Sequence, residues 1–108
     1  MIALRIVWVI ALLATAPVSV QAADMPDWIK PPTYDCTNCH AIDYRVFGPA
    51  WKAVAEKYKG NPTAKVKLIA KVKMGGSGVW GTLSMPAHPN LTHDQLNRVV
   101  SFVLSLAK

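Results

Sequence analysis

Only two cysteines occur in the chain, Cys36 and Cys39, so a network of disulfides does not hold it together. Their spacing excludes even one useful staple, because a bridge across two intervening residues closes almost no loop and barely restrains the unfolded chain. Acidic side chains are scarce too: six Asp and Glu face 12 Lys and Arg, a formal charge of +6. Charged residues make up 17% of the sequence and apolar ones 52%, which excludes a disordered polyelectrolyte. No apolar run reaches the ~20 residues that a membrane span requires. No stretch alternates with the period of a strand over useful length, and no internal repeat is visible. With 108 residues there is room for one compact domain, and a multidomain enzyme is excluded.

Residues 1–22 read as a secretory signal peptide. Arg5 supplies the positive start, residues 6–16 the hydrophobic core, and Val20-Gln21-Ala22 follows Pro17 with a small residue at its end; these are the features that export and cleavage require. The apolar run is about half the length of a membrane anchor. Cleavage is expected after Ala22, leaving residues 23–108 as an exported, periplasmic domain without stable membrane insertion. Loss of Arg5 leaves 11 basic against six acidic residues, a formal +5. A domain this small needs a metal or a cofactor to supplement its core.

Prolines 26, 31 and 32 make residues 23–35 an extended or single-turn lead-in. Gly48-Pro49 then sets up a helix on which Trp51, Val54, Ala55 and Tyr58 repeat at helical spacing before Gly60. Asn61-Pro62 restarts the pattern as cap and first-turn proline, with Val66, Ile69, Ala70 and Val72 running to Gly75-Gly76. Residues 75–90, rich in Gly, Pro and Ser, read as a long loop with no period of its own. Thr92-His93-Asp94-Gln95 has the form of a capping box, and Leu96, Val99, Val100, Val103, Leu104 and Ala107 follow as an apolar stripe. The fold class is all-α, three to four helices around one cofactor.

The identity of that cofactor rests on Cys36-Thr37-Asn38-Cys39-His40, the C-x-x-C-H attachment sequence of c-type haem. On one helical turn, residues three and four apart share a face, so both thiols reach one porphyrin while His40 presents its imidazole to the iron. Three other readings compete. A zinc site from Cys36, Cys39, His88 and His93 is permitted by composition, but its two pairs stand far apart and His40 is left idle. A thioredoxin-like redox pair requires a strand-and-helix scaffold. A plain disulfide is the third.

A haem iron held by His40 has a sixth position. Met85, between Ser84 and Pro86 in the long loop, lies far enough along the chain to reach the opposite face of the porphyrin; His88 and His93 are the alternatives. If that position is open or labile, peroxide or gas chemistry follows and the protein is a haem enzyme or sensor.

The run at 36–43, Gly48-Pro49-Ala50-Trp51, Val54-Ala55-Glu56-Lys57-Tyr58, Gly78-Val79-Trp80-Gly81 and Met85-Pro86 together resemble the small class I bacterial cytochromes c of the c-551/c-552 type. The resemblance implies a single-electron carrier and not an enzyme. It implies His40 and Met85 as axial ligands, a Pro49 carbonyl accepting the second ring N–H of His40, and Trp80 bonding a haem propionate. Two positions depart from the family pattern: Pro31-Pro32 replaces the last turn of an N-terminal helix, and His88 replaces an Asn three residues after the methionine. His88 is expected to point past Met85 into solvent or toward the propionates. Lysines 52, 57, 59, 65, 67, 71 and 73 cluster on two adjacent helices and suit redox proteins with an acidic docking surface, of the reductase and terminal oxidase or nitrite reductase type. A nucleic-acid partner is excluded by the compartment.

Overall fold

The computed structural model describes residues 14–19 and 23–108. The leader reading of 1–22 thus lies outside the described residues except for 14–19, which form no helix or strand. Three helices, α1 (Trp51–Tyr58), α2 (Ala64–Met74) and α3 (His93–Leu104), are joined by a hairpin of two strands, β1 (Gly76–Gly78) and β2 (Gly81–Met85). Single 3-10 turns at Asp27–Ile29 and Cys36–Asn38 precede them. Among the described residues no helix is long and apolar enough to cross a membrane.

α3 is the organising element, and its start is fixed locally. Thr92 Oγ1 accepts from the Gln95 N–H at 3.2 Å while Gln95 Oε1 accepts from the Thr92 N–H at 2.9 Å, so two otherwise orphaned donors are satisfied reciprocally. Its apolar stripe buries Leu96, Val99, Val100 and Val103 against α1 and α2. α1 contributes Trp51, Val54 and Ala55 to the same core. Each fully buried aliphatic side chain contributes roughly 1.5–3 kcal/mol, and Leu96, only 1% exposed, is with Ile29 one of the two largest side chains buried outright.

The lead-in contains no helix beyond the turn at Asp27–Ile29. Instead it clasps α3 with aromatic edges. Trp28 meets Tyr34 and Phe102 edge-on, at centroid distances of 5.9 and 5.7 Å, and Arg98 from α3 lies 4.1 Å over the Trp28 ring. Ile29 is fully buried beneath them, and the Tyr34 hydroxyl donates to the Gln95 carbonyl at 3.2 Å. The Pro31-Pro32 bond between these anchors is cis.

Three expectations change. Residues 75–90 are not a loop throughout, because β1 and β2 pair antiparallel, Gly76 opposite Met85 and Gly78 opposite Gly81, with an irregularity between. Thr63, not Asn61, stands at the α2 N-cap position; Asn61 acts one step earlier, its Oδ1 accepting from the Thr63 N–H and hydroxyl, both at 2.9 Å. On α2 itself Val66 is 73% exposed, whereas Leu68 packs inward beside the expected Ile69 and Val72.

Candidate cofactor site

The segment carrying both cysteines is bent into shape by its own backbone. Cys36 O accepts from the Cys39 and His40 N–H groups at 3.1 and 2.9 Å, and Cys39 O accepts from Gly48 at 2.8 Å. An isolated bridge pairs His40 with Arg45. The folded-back segment then docks on α1, whose first donors, Trp51 and Lys52, reach the Ala41 and Ile42 carbonyls at 3.0 Å each. Helix N-termini leave such donors free, so α1 fixes where the cysteines and His40 stand.

His40 Nδ1 lies 2.8 Å from the Pro49 carbonyl oxygen. Donation across that bond settles the tautomer and leaves Nε2 as a lone-pair donor. Burial pushes the imidazole below its ordinary pKa, although the Pro49 carbonyl acts in the opposite direction, and a neutral ring is the ligating form. Gly48 is what permits this pose: a Cβ there would come 2.3 Å from His40 Cε1. No disulfide joins the two cysteines. Burial, helped by Asp35, pushes the Cys36 thiol up to about 11.

Opposite this segment, Met85 ends β2. Its strand is held by the ladder to Gly76 and by the close approach of Gly75, the residue that ends α2 at φ +70°. Trp80 sits at the hairpin tip, its carbonyl accepting from Arg45 Nη2 at 3.1 Å and its ring 5.6 Å from Lys57 Nζ.

Between the two sides lies a cavity of about 530 Å³ whose wall includes Cys36, Cys39, His40, Trp80 and Met85, with Val54, Leu68, Val72, Val99, Val100 and Val103 as its apolar lining. Its size is that of a cofactor site. Two thiols for covalent attachment, an imidazole and a thioether for iron, and apolar walls for a flat macrocycle are together the donor set of haem c. The zinc reading loses its geometry. His88 Nε2 is occupied by Asp35 at 2.8 Å, and among the described residues no cluster of three or more His, Cys, Asp or Glu is placed to hold a metal ion. Of the two directions expected for His88, the solvent one is not taken, since its side chain is only 15% exposed in that pair. Sequence reading missed Gly48 and Gly75 as spacers, Arg45 as a brace on Trp80, and the His88–Asp35 contact. Gly48 and Gly75 stood out only as helix punctuation, and the other two join residues 35 and 53 positions apart.

Comparison with known proteins agrees with this chemistry. The family model described as cytochrome c matches residues 33–107. Cytochrome c-551 of Allochromatium vinosum is 33% identical over 94 residues, covering 87% of this chain and 100% of the relative. Cytochrome c-551 of Pseudomonas aeruginosa is 37% identical, covering 89% of this chain and 92% of the relative. The crystal structure of wild-type cytochrome c552 from Nitrosomonas europaea superposes with a TM-score of 0.65 at 36% identity, over 67% of this chain and 89% of that one. The extent of the family match and the near-complete coverage of these relatives place the protein in the cytochrome c family, as a small electron carrier with one covalently attached haem c and its iron.

Proposed function

We propose that the protein is an exported, periplasmic single-electron carrier in which Cys36 and Cys39 form the thioethers, while His40 Nε2 and the Met85 sulfur ligate the iron. One observation carries this reading: His40 and Met85 stand in the wall of the same cavity as both thiols. Two ligands supplied by the chain leave no position for oxygen or peroxide, which favours the carrier over a haem enzyme or sensor. The haem iron supplies the one-electron couple, and methionine ligation raises its potential.

The chain's own residues hold and screen that couple. Pro49 orients the His40 ring, the valines of α3 and Val54 exclude water, and Trp80 bonds a propionate, a role supported by its place in the wall and its Arg45 brace. Lys67 and Lys71 stand at the same cavity and suit docking to a redox partner with an acidic surface, of the reductase, terminal oxidase or nitrite reductase type. Export with cleavage after Ala22 would leave the amino group of Ala23 against Asp43, whose carboxylate already accepts from the Ala23 N–H.

The ferric spectrum tests the reading. A methionine-sulfur band in the far red is expected, and a high-spin spectrum that shifts on adding peroxide would replace the carrier with an enzyme.

A further inference from the structure

We propose that His88 is a positioning residue for Met85, acting through a strut to Asp35 that ties the methionine side of the site to the cysteine side; the inference rests on the His40 and Met85 ligation proposed above. Beyond Met85 the ladder ends, and Pro86 has no N–H to donate. The chain is next anchored at His88, and there twice. Its backbone N–H reaches the Val72 and Lys73 carbonyls at 3.2 and 3.1 Å, closing the orphaned end of α2. Its ring places Nε2 2.8 Å from Asp35 Oδ1 and Nδ1 3.3 Å from Val72 O.

Asp35 immediately precedes Cys36, and its own carbonyl accepts from the Asn38 N–H at 3.0 Å. The contact thus spans 53 residues and joins the two segments that carry the opposing ligands. Among the described residues it is the only side-chain hydrogen bond between 86–92 and 35–40. The backbone anchor survives any replacement of His88 except proline, so the contribution of the side chain can be measured alone. Asp35 is 62% exposed, so water screens the pair and its effect on the Met85 segment is modest.

The experiment uses the haem-loaded ferric protein and imidazole as a competing ligand, following loss of the methionine-sulfur band. His88→Ala and Asp35→Ala are each expected to bind imidazole about three- to tenfold more tightly than the parent. The double variant should show no further gain, because either change alone removes the strut. His88→Gln, which restores a donor toward Asp35, should recover most of the parent value. A merely stabilising contact would lower the melting temperature and leave imidazole affinity unchanged. Unchanged affinity in both single variants, or effects that add in the double variant, would overturn the strut while leaving Met85 ligation intact. A parent protein without the methionine-sulfur band would overturn the ligation and the strut together.

Discussion

A Cβ built on Gly75 would come 2.4 Å from the Met85 carbonyl oxygen and 2.8 Å from the Ala87 nitrogen. The end of α2 therefore presses directly on the backbone that carries the methionine, with no side chain between them. Gly75→Ala adds both this clash and a left-handed backbone, and is expected to cost about 1–3 kcal/mol of stability while weakening the far-red methionine band. Gly60→Ala is the control, since Gly60 has a similar φ of +74° with nothing near its Cβ. It should cost about 1 kcal/mol and leave the spectrum alone. Equal spectra in the two variants would separate Gly75 from the ligand.

On the opposite side, Gly48→Ala puts a methyl group where the His40 ring lies. The three atoms nearest that methyl group all belong to the imidazole, so the ring is the group that must move, breaking its bond to Pro49. The variant is expected to keep its haem through the thioethers yet show a mixed spin state and a lower potential, read by spectroscopy and redox titration. A parent-like spectrum would mean that the ring has slack that the 2.8 Å bond to Pro49 does not suggest.

The thiols give a prediction in pH. Burial raises Cys36 from 9.0 to about 11, so above pH 9 the unfolded chain releases a proton that the folded chain retains. In any protein that folds before haem attachment, the contribution of this group to stability is fully present below pH 9 and is lost as pH rises through 11. A thioether does not titrate there. Denaturant melts between pH 8 and 11 should show this alkaline loss only before attachment, and acid acetone should leave colour on the attached form.

Partner docking is expected to depend on salt, because a formal +5 after leader removal steers association through a field that screens within ~8 Å at physiological ionic strength. Lys71→Glu, at the cavity, should slow electron transfer to an acidic partner more than Lys65→Glu, which lies on the exposed flank of α2. Stopped-flow rates that are flat with salt would remove the electrostatic part of the proposal.

The exported protein should begin at Ala23, as mass spectrometry will read directly. Its new ammonium would join Lys52, which already pairs with Asp43. Lys52 and the Ala23 N–H hold Asp43 below the usual carboxylate range, so its stabilisation is present above about pH 4 and is lost as pH falls. Asp43→Asn should flatten that acid arm, whereas an unchanged arm would show the contact to be idle.

Which parts of this molecule were legible in the sequence follows from how far apart the determinants stand. Cys36 to His40 is one local signal, and the Thr92–Gln95 box is another; each needs only neighbours within four residues, the box standing in the structure and the first signal naming the cofactor of the family to which the chain belongs. The hairpin escaped notice because Gly76, Gly78 and Gly81 carry no side chains to alternate, and the residues of β2 before Met85 are exposed. Only backbone hydrogen bonds define it. Val66 misled because it lies on the apolar period of α2, yet the inward face carries Leu68 beside the expected Ile69 and Val72. His88 was unreadable for the opposite reason: both oxygens beside its ring nitrogens come from distant stretches, one of them 53 residues away.

Attachment and tuning are housed in different lengths of chain. Everything proposed to retain the cofactor covalently sits at 36–39, whereas the second ligand belongs to a hairpin that packs through glycine contacts after α2. Exchange of residues 75–88 alone is thus a route to a new redox character on a retained haem. A sensor or a peroxidase lies within one segment of this carrier.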